Sequence, residues 1–371
     1  MYSISDFPHD KWNDNLVSFS GAHVLQTREW GQVKASVGWK PIYKVWKDDR
    51  GEIVGMALIL IRTIRLGKAT PEIKIIYIPK GPVLDWRNQE LCKQIILDLE
   101  KFGRSKGAVF IKIDPDVEIG FGIPEDPEAE EIKSGENIRG ELINSGWRYS
   151  NDQIQYKNSM LIDLSPELEK ILANMKQKTR YNIRLAGRNG VVIREGSQQD
   201  SDLLFEMYAE TSMRDGFVIR DSSYYELTWS IFMRAGMASP LIAEFEGEPI
   251  AGVVPFYFAG KTWFLFGMSR DIFREKMPNY LLQWSVISKA KSLGCTVYDL
   301  WGAPDDFHKE DPMWGVYKFK AGFGAQVVRR IGAWDLVLRP NLYQLYTTFL
   351  PKLLNVLRNR GKNRIRQDLA V

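Results

Sequence analysis

The sequence predicts an α/β protein of the mixed, α+β kind, built as two similar halves in tandem, each a mixed sheet flanked by helices. Three observations carry this. A chain of 371 residues is long for one hydrophobic core, so size favours two domains. The chain also repeats itself: Glu52-Ile-Val-Gly-Met-Ala-Leu-Ile is echoed by Glu248-Pro-Ile-Ala-Gly-Val-Val-Pro, each after a glycine turn. A second echo joins helix, glycine and buried strand, in Phe102 to Asp114 and again in Ile287 to Asp299. We place the first half at 1–155, the second at 156–340, and a basic C-terminal helix and tail at 341–371.

Composition supports a folded chain, with 44% hydrophobic and 26% charged residues. The two cysteines, Cys92 and Cys295, lie far apart in apolar patterns and read as buried thiols of a reducing compartment. Three histidines, His9, His23 and His308, leave little material for a zinc cluster or a histidine-based triad. The N-terminus lacks the basic and apolar regions of a signal peptide, and no apolar run reaches about 18 residues, so a cytoplasmic protein is expected. The formal charge of +4 says less than its distribution: 115–142 is mostly acidic, whereas 174–194 and 352–366 are basic without acids.

Taken in order, a short helix opens the chain. Leu25 to Trp39 then reads as a helix capped near Thr27 and stopped by Gly38, with Trp30, Val33 and Val37 at core spacing. Strands are expected at Pro41–Trp46, Glu52–Ile64 and Ile75–Ile78, a helix at Gln89–Ser105, and a buried strand from Ala108 that ends on Asp114-Pro-Asp116. Carboxylates at the C-terminal end of such a strand sit where α/β layers bind ligands, although an Asp-Pro turn cap fits as well. Residues 117–140 read as an acidic surface excursion. Tyr156–Leu164 is a strand and the hinge into the second half, and Ser165-Pro166-Glu167 reads as a helix start.

The run Lys176 to Arg188 carries five lysines or arginines, no acid, and Tyr181 among them. Such a face suits phosphate contacts, or is simply solvated. Arg220 and Tyr224, four residues apart on a loop entering a helix, could grip a phosphate and stack on a base or sugar, with Asp215 or Asp221 as alternative partners for the arginine. Gly315 to Ala325 reads as extended, which puts Lys318 and Lys320 on one side with Tyr317, Phe319 and Phe323 nearby. A lysine held there in a partly desolvated slot can stabilise an oxyanion; outward lysines on an ordinary strand are the other reading. Pro340 to Val371 looks helical up to a kink at Pro351 and then turns basic, suited to a nucleic-acid backbone, to anionic headgroups, or to solvent.

Several of these segments together resemble the Fem family (FemABX), aminoacyltransferases that build peptidoglycan interpeptide bridges. Gly315-Val-Tyr-Lys-Phe-Lys-Ala-Gly-Phe-Gly is similar to its Phe-Lys motif, Gln26-Thr-Arg-Glu-Trp-Gly-Gln-Val-Lys34 to its Gln-Ser-x-x-Trp-Gly-x-x-Lys pattern, and Lys178-Thr-Arg-Tyr-Asn-Ile-Arg184 to the opening of its second domain. The resemblance spans nearly the whole chain. It implies tandem GNAT-like domains, in the FemX-like form without a long coiled-coil arm.

For the site, the resemblance implies Lys320 at the oxyanion or tRNA terminus, Phe319 shaping the slot, and Asp114 near the acceptor amine. It further implies Lys34, Arg220 and Tyr224 on the diphosphate of the precursor, and Lys178, Arg180 and Tyr181 on substrate. Phe264 and Phe266 stand where the family often has a substrate-touching tyrosine, so that contact is not expected here. The implied partners are aminoacyl-tRNA and either UDP-MurNAc-pentapeptide or lipid II, with peripheral contact at the inner membrane face, no separate cofactor, and a monomeric chain. Two other readings stand beside this one. An acyl-CoA-dependent N-acyltransferase would need a Gln/Arg-x-x-Gly-x-Gly/Ala loop, which neither half shows convincingly. A non-catalytic binder of tRNA or anionic glycolipid would not need Lys320.

Overall fold

The structure, a computed structural model, describes residues 2–65 and 72–349. The expected basic tail and the Pro351 kink lie outside these. The first half comprises β1 (Ser3–Asp6), α1 (Trp12–Leu16), α2 (Arg28–Ser36), a meander of β2 (Lys40–Lys47), β3 (Ile53–Ile64) and β4 (Ile73–Ile78), then β5 (Val83–Leu84), α3 (Gln89–Ser105), β6 (Phe110–Ile113), β7 (Glu118–Phe121), β8 (Glu130–Glu131), α4 (Lys133–Asn144) and β9 (Trp147–Tyr149). The second comprises β10 (Ser159–Asp163), α5 (Leu168–Asn174), α6 (Gln177–Arg188), β11 (Val191–Glu195), α7 (Ser201–Asp215), α8 (Ser222–Arg234), a meander of β12 (Leu241–Phe245), β13 (Glu248–Phe258) and β14 (Lys261–Ser269), then α9 (Pro278–Ser292), β15 (Val297–Asp299), α10 (Trp314–Gly322) and β16 (Gln326–Arg330). β17 (Trp334–Val337) and α11 (Pro340–Gln344) follow.

Two sheets result, in the orders β1-β2-β3-β4-β6-β17-β9, with β5 also on β3, and β11-β12-β13-β14-β15-β10-β16-β7-β8. Both are antiparallel except at one corresponding junction, β4 with β6 and β14 with β15. The chain therefore repeats its topology where its sequence repeats. The two sheets exchange strands across the expected boundary at 155–156, however. β7 and β8, from the first half, extend the second sheet beyond β16, and β17, from the second half, inserts between β6 and β9 of the first. A buried pair, Lys112 on β6 and Asp335 on β17 at 3.0 Å, fixes the returning strand, with Ser150 bonding to both. A buried charge satisfied in one register resists a slip.

The halves also share a core. Trp12, Val24, Trp30 and Leu58 from the first pack in one cluster with Leu204, Tyr225, Trp229 and Trp263 from the second. No described helix is long and apolar enough to cross a membrane.

Four expectations change. Residues 117–140 are no mere surface excursion, because β7 and β8 extend the second sheet. The helix expected from Ser165 starts at Leu168, with Glu167 as its cap residue. Ile331-Gly-Ala-Trp-Asp-Leu-Val-Leu338 reads from sequence as strand-like throughout, but only Trp334–Val337 is strand. Most consequentially, Trp314–Gly322 is a helix and not an extended segment. Its aromatic pairs Trp314–Tyr317 and Phe319–Phe323 make ring contacts at 5.0 and 5.1 Å, the i,i+3 and i,i+4 spacing of a helix.

Candidate active site

Residues two apart on a helix point to nearly opposite sides, so Lys318 is exposed and Lys320, in the last turn of α10, is buried. The Lys320 ammonium donates to the main-chain carbonyls of Trp301 and Gly302, the latter at 2.6 Å. Both acceptors follow β15 with positive φ, 59° and 30°. A tryptophan in that region is strained, at a cost of about 1–2 kcal/mol. Asp299 Oδ1 helps hold the turn by accepting from the Trp301 N–H at 2.8 Å and from the Ser159 hydroxyl. Burial lowers the Lys320 pKa to about 7, and the negative charge of Asp299 opposes the shift. Two of the three ammonium donors are used by these carbonyls. The result is a desolvated cation that titrates near neutrality.

The carbonyls reach Lys320 because the second sheet opens here. β14 pairs with β15 only from Lys261 to Trp263, while β14 itself continues to Ser269. α10 is seated on α6: Lys176 N–H donates to Gly322 O at 2.9 Å, and a Cβ on Gly322 would stand 2.5 Å from Thr179 Oγ1. Phe319 packs on Tyr280 and Phe323.

The basic run behaves as an amphipathic helix. Thr179, Asn182 and Ile183 face inward, while Lys178 and Tyr181 are exposed. Arg180 departs from the expected substrate role: its guanidinium donates to Ala173 O at 2.9 Å and to Met175 O, closing the end of α5. Those carbonyls have no helical partner of their own, and an arginine six or so residues downstream satisfies them.

Lys34, Arg220 and Tyr224, from opposite halves of the chain, come together. Lys34 Nζ lies 3.2 Å from Tyr224 Oη and 4.2 Å from the Trp30 ring centroid, one helical turn back. Arg220 stacks over the Tyr224 ring at 4.7 Å. The alternative pairings do not form: Asp221 caps α8 and Asp215 pairs with Arg214. Burial lowers the Lys34 pKa to about 8, with Arg220 and Arg62 adding repulsion.

Each residue of the Gln26–Lys34 pattern has a physical task. Gln26 bridges Pro79 O and the Leu58 N–H, and Thr27 Oγ1 accepts from the Trp30 N–H at 3.3 Å, a cap contributing about 1 kcal/mol. A Cβ on Gly31 would collide with Tyr43 Oη at 2.3 Å.

Asp114 is wholly inward. It accepts from Tyr77 Oη at 2.7 Å and from the Lys80 N–H, and burial raises its pKa to about 6. It positions Lys80 rather than offering a free carboxylate to an amine. The ion cluster lies beside it, around Asp116, which is 3.1 Å from Lys80 Nζ, 3.4 Å from Arg330 Nε and 3.8 Å from His23 Nε2. Burial opposes its ionisation, but Arg330 and Lys80 outweigh burial and hold it well below the usual carboxylate range. Arg330 also reaches Asp299 at 3.6 Å, which connects this cluster to the Lys320 turn. Burial lowers the pKa of His23, seated against Trp263 and Trp301, to about 3, so the ring stays neutral.

Sequence reasoning noted the Asp116 carboxylate but favoured Asp114 over it, and it missed Lys80, Arg330, Asp299 and Trp301. One signal was available for Asp299: the rule that picked out Asp114, a carboxylate ending a buried strand, applies equally to its echo.

The chain is similar to known proteins over most of its length. A sequence model described as FemAB family matches residues 4–244 and 233–350. The lipid II:glycine glycyltransferase of Staphylococcus aureus (strain USA300) is 23% identical over 416 aligned positions, covering 94% of this chain and 96% of that protein. A crystal structure of FemX superposes with a TM-score of 0.81 at 21% identity, over 92% of this chain and 99% of FemX. A tandem GNAT protein from the clavulanic acid biosynthesis pathway gives 0.53 at 11% identity, over 90% and 98%. The expected tandem GNAT fold is present.

Proposed function

The chain belongs to the FemAB family, whose model matches most of its length, and from that premise we propose that it transfers an amino acid from aminoacyl-tRNA to the stem-peptide amine of a peptidoglycan precursor, lipid II. The relative named for glycyl transfer to lipid II supports the acceptor. The observation that carries the chemistry is the desolvated Lys320 ammonium at the open end of the second sheet.

The step joins a nucleophilic amine to an ester carbonyl. The amine nitrogen attacks, the carbonyl π pair moves onto oxygen, and the ester C–O bond then breaks to release the terminal ribose oxygen of the tRNA. The amine proton lost on attack balances the proton gained by that leaving oxygen. An aminoacyl ester is already activated, so the protein need only position two polyanions and stabilise the developing oxyanion. Lys320 supplies a fixed positive charge whose orientation is set by two carbonyls, at no reorganisation cost during reaction. Lys34, Arg220 and Tyr224 supply the grip on the precursor's diphosphate, with the exposed face of Lys178 and Tyr181 available to tRNA phosphates. No separate cofactor enters this scheme.

The test is transfer of label from charged tRNA pools to lipid II and, separately, to UDP-MurNAc-pentapeptide. Label in lipid II is the expected result. Label in neither, with tRNA still bound, overturns the reading.

A further inference from the structure

The last turn of α7 and the loop from there to α8 leave apolar side chains partly or largely exposed. Val218 is 89% exposed, Met213 76% and Phe217 40%. The loop is nonetheless fixed at both ends. Gly216 closes α7 in the left-handed conformation with its N–H on Ser212 O at 2.9 Å, and Asp221 caps α8. Between them the Phe217 ring rests on Tyr208 at 5.6 Å, Ile219 packs on the shared core, and the Arg220 N–H donates to Tyr225 Oη at 3.2 Å. Val218 is thus held outward at a braced tip. Two residues further on stands Arg220, beside Tyr224, Lys34 and Arg62. Among the described residues, Lys34, Arg62 and Arg220 make no ion pair.

We propose that the last turn of α7 and this loop form a membrane-docking tip, with Val218, Met213 and Phe217 entering the headgroup boundary of an anionic bilayer and placing the Lys34–Arg220–Tyr224 cluster at the level of a lipid-linked diphosphate. The proposal rests on the lipid-linked acceptor of the preceding section. An apolar tip beside unpaired cations matches the chemistry of such a surface: apolar side chains partition below the headgroups while the cations meet phosphate. A diphosphate joined to a lipid tail lies at that same depth, so the tip and the cluster address one molecule from two sides.

The test compares the wild-type chain with Val218→Asp, whose exposure makes it harmless to the fold. Partition onto phosphatidylcholine vesicles with and without phosphatidylglycerol is read by sedimentation, and transfer is read on vesicle-borne lipid II and on the water-soluble UDP-linked pentapeptide. The expected result is partition that favours the anionic vesicles and weakens with salt. Val218→Asp should lower it about tenfold or more, lower transfer to the vesicle-borne acceptor similarly, and leave the soluble acceptor's turnover unchanged. Equal partition of the two proteins overturns the proposal. So does a Val218→Asp variant that changes only the elution volume from dimer to monomer, which would make the tip a contact between two copies. Partition needs no turnover, so a failure of transfer to either acceptor by the wild-type chain defeats the functional reading and not the docking surface.

Discussion

The two sheets share one topology but end their parallel junctions differently. In the first, β4 and β6 pair to their ends at Ile78 and Ile113, and the Lys80 N–H then closes onto Asp114. In the second, pairing stops at Trp263 and Asp299, and the chain beyond Asp299 turns its carbonyls onto Lys320. Each strand thus ends in a buried aspartate with a different task. Asp114 completes a seal; Asp299 holds a strained turn open. A duplicated fold can keep one copy of a ligand-binding crevice shut as structure and use the other for chemistry.

The most severe way to break this comparison is Lys320→Ala. If the open end is the reaction centre, transfer falls about 10²–10³-fold, the scale of losing one oxyanion donor, while tRNA binding measured by filter retention stays within about twofold. Full activity in that variant would move the chemistry elsewhere. Next is Asp299→Asn, which keeps an acceptor for the Trp301 N–H but removes the charge that supports the Lys320 ammonium. Lys320 acts as a cation below its pKa, so wild-type single-turnover rates should turn downward above about pH 7. The variant should move that descending limb to lower pH and reduce the rate at neutrality about tenfold. A limb that rises through neutrality would make Lys320 a base instead.

Lys34→Ala tests the binding cluster. It should raise KM for the acceptor about tenfold with kcat little changed, because a grip on the non-reacting diphosphate is felt in ground and transition states alike. The smallest effect belongs to the closed end. The Asp114 pKa, raised to about 6, lies above the unfolded value, so the native state binds its proton more tightly than the unfolded chain does. Stability from this group is therefore full at acidic pH and declines as pH rises from about 4 to 6. Asp114→Asn should flatten that part of the stability profile in denaturant melts; an unchanged slope would remove Asp114 from the seal.

The sequence by itself determined the doubling of the fold and most helices and strands, and it singled out Lys34, Arg220, Tyr224 and Lys320 as candidates. Periodicity, capping residues and glycine turns act over a few neighbours and can be read locally. Even the helix at 314–322, where lysines two apart suggest an extended segment, carries its signal in aromatics three and four apart. Only the tertiary structure decided the rest: the exchange of β7, β8 and β17 between sheets, the engagement of Arg180 with two main-chain carbonyls, and the gathering of His23, Lys80, Asp116, Asp299 and Arg330 at the junction. These are pairings between residues as far apart in the chain as Phe110 and Val337. A buried charge is tolerated only where an opposite charge or a dipole meets it, and which group meets it is settled by packing rather than by any local pattern.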